Sequence, residues 1–208
     1  MTIMALTLVI DTATAACSVA LIDDGHVVAE RHEIVGRGHA ERLLPMIAEL
    51  PDGGRADTIL VDVGPGSFTG TRVGIAAARG LAIGWRVPVT GYSSTALLAA
   101  AEFARDPALA RLAVVLEGGH GEVFMQPFSR PILADAALAS LAPEAARALI
   151  EGRRAIGSGI GWLGALTDAR DALPRAAQAM LLPSALRVLA PSPIYGRPPD
   201  AVPQQPRT

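Results

Sequence analysis

The chain opens on an apolar run that ends in an acid, residues 6–11, LTLVID. A short turn over residues 13–16 leads to a second apolar run at 17–22. Asp23-Asp24-Gly25 is then a hairpin signal before a third strand over 27–35. This order predicts a three-stranded antiparallel meander. At Gly38 the period changes. Leu43, Leu44, Ile47 and Leu50 recur at helical spacing, and Pro51 with Gly53-Gly54 ends the pattern. A strand over 56–63, a helix over 72–85 stopped before Pro88, a short strand over 88–91 and a helix over 94–104 come next. The opening pattern then returns: an apolar strand at 112–116, an acid (Glu117), small residues, and a second strand at 121–128. A helix over 143–150, a strand over 154–156 ending in Gly157-Ser158-Gly159, and a helix over 182–189 complete the expected elements. From Pro191 the chain is Pro-rich and reads as irregular. The repeated hairpin start predicts an α/β chain of two related lobes, residues 1–96 and a shorter 97–208.

Composition narrows this reading. Half of the 208 residues are hydrophobic but only 4% are aromatic, so the core is built from Ala, Val, Leu and Ile. The formal net charge of −2 argues against a protein that binds nucleic acid by itself, because such proteins carry a basic excess that displaces counterions from phosphate. All 18 basic residues are arginine. Without lysine there is no Schiff-base lysine, lysine general base or phosphate-loop lysine. One cysteine, Cys17, excludes an intramolecular disulfide, and its place in an apolar strand suits a packing residue. The N-terminus shows no basic segment before a long apolar run, and no apolar stretch is long enough to span a bilayer. A cytoplasmic protein is the expectation.

Two segments could carry chemistry. In Asp11-Thr12-Ala13-Thr14, an acid at a strand end followed by hydroxyls can hold a magnesium-bound phosphate; the alternative is a turn in which Thr12 or Thr14 bonds its own backbone. In Gly64-Pro65-Gly66-Ser67-Phe68-Thr69-Gly70-Thr71-Arg72, a strand-to-helix turn offers free N–H groups and a helix dipole to an anion. The alternative there is a tight turn with Ser67 or Thr69 capping the helix. The spacing fits neither a Walker loop nor a nucleophile elbow. His39 opens the first helix, but the residue at i+4 is Leu43, so no helical histidine pair exists, and His26, His32 and His120 are scattered. No metal site and no Ser/His/acid set is expected, and no catalytic residue is assigned.

IDTATAACSVALIDDG, GHAERLLPMI and VDVGPGSFTGTRVGIAAARGLAIG together resemble the TsaB family in order and spacing over residues 6–95. Gly121-Glu122-Val123-Phe124, Gly157-Ser158-Gly159 and Pro193-Ile194-Tyr195-Gly196-Arg197 extend the resemblance more weakly. It implies an actin/sugar-kinase ATPase-like (ribonuclease H-like) fold of two lobes, each a mixed sheet flanked by helices. It further implies a non-catalytic subunit that binds and activates the related catalytic subunit, TsaD, in threonylcarbamoyl transfer to adenosine 37 of transfer RNAs reading ANN codons. A TsaE-type ATPase takes part, and transfer RNA is met through the complex rather than alone. No cofactor is intrinsic on this view; ATP or ADP with magnesium belongs at the complex interface, and Asp11, Thr12, Thr14, Gly64, Gly66, Ser67 and Thr69 are the residues that would touch it. The partner face expected from the two helices is Leu43, Leu44, Ile47, Gly74, Ala77, Ala78 and Leu81, and an isolated chain could pair with a second copy there. The chain departs from the family pattern at Glu117-Gly118-Gly119-His120, where Asp-Ala-Arg is usual, and at Gly196, where Leu is usual. The competing functions are an independent small ATPase or kinase of the same fold, and a peptidase.

Overall fold

The structure, a computed structural model, describes residues 6–196. Its first sheet contains β1 (Thr7–Asp11), β2 (Ala16–Asp23), β3 (His26–Ile34), β4 (Thr58–Asp62) and β5 (Val89–Tyr92) in the order β3-β2-β1-β4-β5. The first three strands are antiparallel, as the hairpin signals require; β4 then joins β1 in parallel, and β5 joins β4 in parallel. The parallel joins need crossovers, which are α1 (His39–Ala48) followed by a short turn, and α2 (Phe68–Trp85). The second sheet repeats this plan with β6 (Arg111–Gly119), β7 (Glu122–Ser129), β8 (Leu133–Ala134), β9 (Ala139–Leu141), β10 (Arg154–Ile156) and β11 (Ala169–Arg170). Its order is β11-β10-β6-β7-β8, with β9 also on β7, and α4 (Pro143–Leu149) on its outer face.

Strand alternation explains why the core strands read as continuous apolar runs. Leu8 and Ile10 point to α1 and α2 on one face, while Val9 points to the other face, where α3 (Ser94–Arg105) lies. In the second sheet Leu112, Val114 and Leu116 face α3, and Ala113 and Val115 face α4. Both faces of the central strands β1, β2, β4 and β6 are covered, so neither face of these needs polar residues, whereas the edge strand β3 is largely exposed and carries charges. α3 sits between the sheets, with Ala96 to Ala100 and Phe103 in one core that joins both lobes. This helix runs through the expected junction between residues 96 and 97, and the sheets share its side chains.

Two expected helices are corrected. α2 begins at Phe68, four residues before the expected start, because Ser67 caps it by accepting from the Gly70 N–H at 3.1 Å. The helix expected over 182–189 does not form. Short 3-10 turns stand at Ala176–Leu181 and Ser184–Leu186, separated by Pro183, which denies the preceding Leu182 a helical conformation. Beyond them Leu189 bonds the backbone of Gly91 in both directions, at 2.7 and 3.0 Å. The Cys17 thiol is buried and pushed up to about 11, chiefly by burial, which makes it a poor nucleophile. No helix among the described residues is long and apolar enough to cross a membrane.

Candidate functional site

The two glycine- and threonine-bearing segments singled out from the sequence are brought together, but against each other. The turn after β1 is covered by the segment after β4. The Ser67 N–H donates to the Ala13 carbonyl at 2.7 Å, and Thr12 Oγ1 donates to the Gly70 carbonyl at 2.8 Å. Three glycines make the approach possible. A Cβ on Gly66 would lie 1.9 Å from the Ala13 oxygen, one on Gly70 2.2 Å from the Thr12 oxygen, and one on Gly74 2.3 Å from Thr12 Oγ1. These are contacts that only a residue without a side chain makes. Thr14 Oγ1 accepts from the Ala16 N–H at 3.4 Å, the local-turn alternative.

Beneath this turn lies a buried carboxyl pair. Asp11 and Asp62 are wholly buried, at the ends of β1 and β4. Tyr92 at the end of β5 donates its hydroxyl to Asp11 Oδ2 at 2.9 Å. Asp62 accepts from Ser94 Oγ at 2.7 and 2.8 Å and from the Gly64 N–H at 2.7 Å, which holds the Gly64–Pro65 turn in place; that peptide is cis. Burial pushes both acids up, and the neighbouring Asp11 adds to the rise at Asp62, which stands well above the ordinary 3.8. Asp11 Oδ1 is buried without a hydrogen-bond partner among the described residues.

Asp11 thus gives one oxygen, Oδ2, to Tyr92 and keeps the other, Oδ1, unengaged beneath the turn. Thr12 is likewise buried and engaged by Gly70. The helix end offers little more. The N–H groups of Ser67, Gly70 and Thr71 go to Ala13, Ser67 Oγ and Ser67 O, leaving those of Phe68 and Thr69 for an anion.

An open cleft of about 800 Å³ lies between the lobes. One wall is Gly66 to Arg72 with Arg37 and His39; the other is Glu117 to His120 with Phe124; Pro193 to Gly196 close one end. His39 is buried and its Nε2 meets the Ala16 carbonyl at 3.2 Å. Ser67 Oγ is engaged as the helix cap, so the two make no nucleophile–base pair. Among the described residues no cluster of three His, Cys, Asp or Glu could hold a metal ion.

At the cleft lip stands a group that sequence reading missed. The Arg72 guanidinium lies 3.6 Å from the centroid of the Phe68 ring and 5.6 Å from that of Tyr195, and donates to the Tyr195 hydroxyl at 2.8 Å. Tyr195 arrives on the terminal segment, which also donates the Ile194 N–H to the Val63 carbonyl at 2.8 Å. Gly196 then packs on Phe124, where a Cβ would fall 2.3 Å from the ring, so a leucine there would require that ring to shift. Arg197, the last residue of that motif, lies outside the described residues. The available signal was the scarcity of aromatics: an exposed Phe68 and Tyr195 are a large share of four Phe and two Tyr.

The expected partner face is corrected in part. Leu43, Ile47, Gly74 and Ala78 are buried against this chain's own first sheet, so no partner reaches them. Their spacing marks the core-facing stripe of each helix, as amphipathic periodicity normally does. Ala77 and Leu81 are half-buried, and Leu44 is exposed. Beside them α2 also presents Ala76, Gly80, Gly84 and an 80% exposed Ile83.

The topology, two sheets of the same hairpin-first plan around a shared helix with a cleft between them, is that of the actin/sugar-kinase ATPase-like class. The family model for TsaD, tRNA N6-adenosine threonylcarbamoyltransferase, matches residues 26–148, more than half of the chain. The tRNA threonylcarbamoyladenosine biosynthesis protein TsaB of Escherichia coli K12 is 39% identical over 130 residues, covering 59% of this chain and 54% of that protein. TsaB of Haemophilus influenzae is 44% identical over 101 residues, 46% of this chain and 42% of that protein. The aligned part thus spans about half the length of these curated relatives or less. The solved structure of YeaZ from Pseudomonas aeruginosa superposes with a TM-score of 0.79 at 28% identity, over 92% of this chain and all of that one. The chain belongs to the threonylcarbamoyladenosine-biosynthesis family of TsaD, on its TsaB branch.

Proposed function

We propose that this chain is a non-catalytic subunit that binds and activates a TsaD-type catalytic paralogue in threonylcarbamoyl transfer to adenosine 37 of ANN-reading transfer RNAs. The observation that carries the reading is the filled turn after β1. Gly66 and Ser67 pack directly on Ala13, and the nearby acids are engaged by Tyr92, Ser94 and the Gly64 N–H. A chain with this arrangement keeps the fold but holds no catalytic set of its own. A TsaE-type ATPase would meet the assembly, and any ATP or ADP with magnesium would be held mainly by partner residues.

The exposed apolar strip on α1 and α2 supports the pairing half of the proposal. Leu44 is 54% exposed and Ile83 80% exposed. Ala76, Gly80 and Ile83 lie at helical spacing, and nothing comes within 4 Å of a Cβ built on Gly80 or Gly84, so a foreign helix could approach closely. Co-purification of tagged chain with the catalytic paralogue tests this. Ile83→Arg should leave the melting temperature unchanged and weaken pairing at least tenfold, because the charge would be buried unpaired. A folded Ile83→Arg chain that pairs at wild-type strength rejects this face. A wild-type chain that forms only its own homodimer, or turns over ATP unaided, rejects the subunit reading.

A further inference from the structure

Resting on that reading, we infer that the Phe68–Arg72–Tyr195 group at the cleft lip is a contact for an unpaired nucleotide of the RNA substrate. Phe68 and Tyr195 are 60% and 52% exposed, an unusual placement in a chain with so few aromatics. Arg72 stands over the Phe68 ring and donates to the Tyr195 hydroxyl, and among the described residues no carboxylate pairs with it. Arg37 lines the same cleft and has no ion pair among the described residues. Against these two cations the lining offers one acid, Glu117. Exposed rings beside unneutralised guanidinium groups match the two chemistries of a nucleotide, a π-face and a phosphate, and stacking of this kind reads bases that are not paired. The turn after β1 is covered by the chain itself, and the rings sit at the rim of an open cleft. That geometry suits one nucleotide of a longer strand.

The local positive excess coexists with a net charge of −2, so binding by this chain alone should be weak, with Kd on the order of 50 µM at low salt. The test is fluorescence anisotropy of the full chain with labelled single-stranded oligoadenylate. The same strand locked in a duplex, and AMP as competitor, form the other arms. Phe68→Ala and Tyr195→Ala should each weaken single-strand binding roughly tenfold, and Phe68→Trp should restore it. Arg37→Ala should weaken binding and lower the salt slope by about one. Because both rings are largely exposed, the variants should melt as wild type does; Tyr195→Leu serves if the alanine variant does not. Duplex bound as tightly as single strand, unchanged binding in both ring variants, or equimolar AMP displacing the strand would each overturn the inference. The measurement needs no paralogue. RNA binding that persists when pairing fails therefore sinks only the subunit reading, and pairing without ring-dependent RNA binding sinks only this one.

Discussion

The two lobes close their first hairpins with the same device and then diverge. In the first lobe the segment after β4 folds over the β1–β2 turn, with Ser67 N–H on the Ala13 carbonyl. In the second, the segment after β10 folds over the end of β6: the Gly159 N–H donates to the Val115 carbonyl at 3.0 Å, and Ser158 Oγ accepts from the Glu117 N–H at 3.2 Å. Each relies on glycines that no other residue replaces. A Cβ on Gly157 would fall 2.1 Å from the Val115 oxygen, nearly as close as that on Gly66 to Ala13. Past the closure the lobes part: an 18-residue helix continues the first, a four-residue 3-10 turn the second. The first lobe therefore offers a long helix face to other molecules. The second keeps the sheet plan, but after β7 its strands are only two or three residues long.

The equivalence of the two closures is tested most sharply at their glycines. Gly66→Ala should cost on the order of 4 kcal/mol or more, since the clash is with backbone that the covered turn cannot move. Gly157→Ala adds a positive φ of 127° to its clash and should be as severe, but confined. Hydrogen exchange should show protection lost around β10 and β11 while β1 to β4 keep theirs. Loss of protection throughout, or none, would show that the two closures are not equivalent.

Buried acids sharpen the contrast. Glu102 on α3 has no exposure and is met by Arg105, Arg154 and Arg170. Burial pushes it up, but the hydrogen bonds and charges of Arg170, Arg105 and Arg154 outweigh that and hold it below its ordinary 4.5. Its contribution to stability is then fully present above that value and lost as pH falls through the lowered one. Glu102→Gln should cost about 2 kcal/mol at neutral pH, below the usual cost of breaking a buried pair because the arginines reach water. Thermal melts should show the difference from wild type shrinking as pH drops toward 3; a constant difference would mean that packing rather than charge is lost.

Much of the sheet plan was legible because strand runs, hairpin glycines and the change to helical period at Gly38 are local signals. The core-facing stripe was misread as a partner face because periodicity reports a buried face without saying what buries it; Leu43 and Ala78 belong to the first sheet. The covered turn was not legible at all. Whether Gly66 cradles a ligand or its own chain depends on a contact across 53 residues, and either use asks for glycine. The ring pair at the lip depends on one across 123 residues.

The smallest effect, and the one of opposite sign, concerns Asp62. Its carboxyl is raised well above 3.8, by burial first and then by Asp11, so the folded state holds a proton that the unfolded chain gives up. Between 3.8 and the raised value the native state binds more protons than the unfolded state, and stability falls as pH rises through that window. This is the reverse of Glu102. Asp62→Asn removes the titration while keeping an oxygen to accept from Ser94 Oγ and the Gly64 N–H. The variant should gain on wild type as pH rises above 3.8 through the raised value. Melting temperatures across that range decide the matter. If wild type grows more stable than Asp62→Asn as pH rises, the pair is ionised in the folded state, and the carboxylates would be free to face a cation after all.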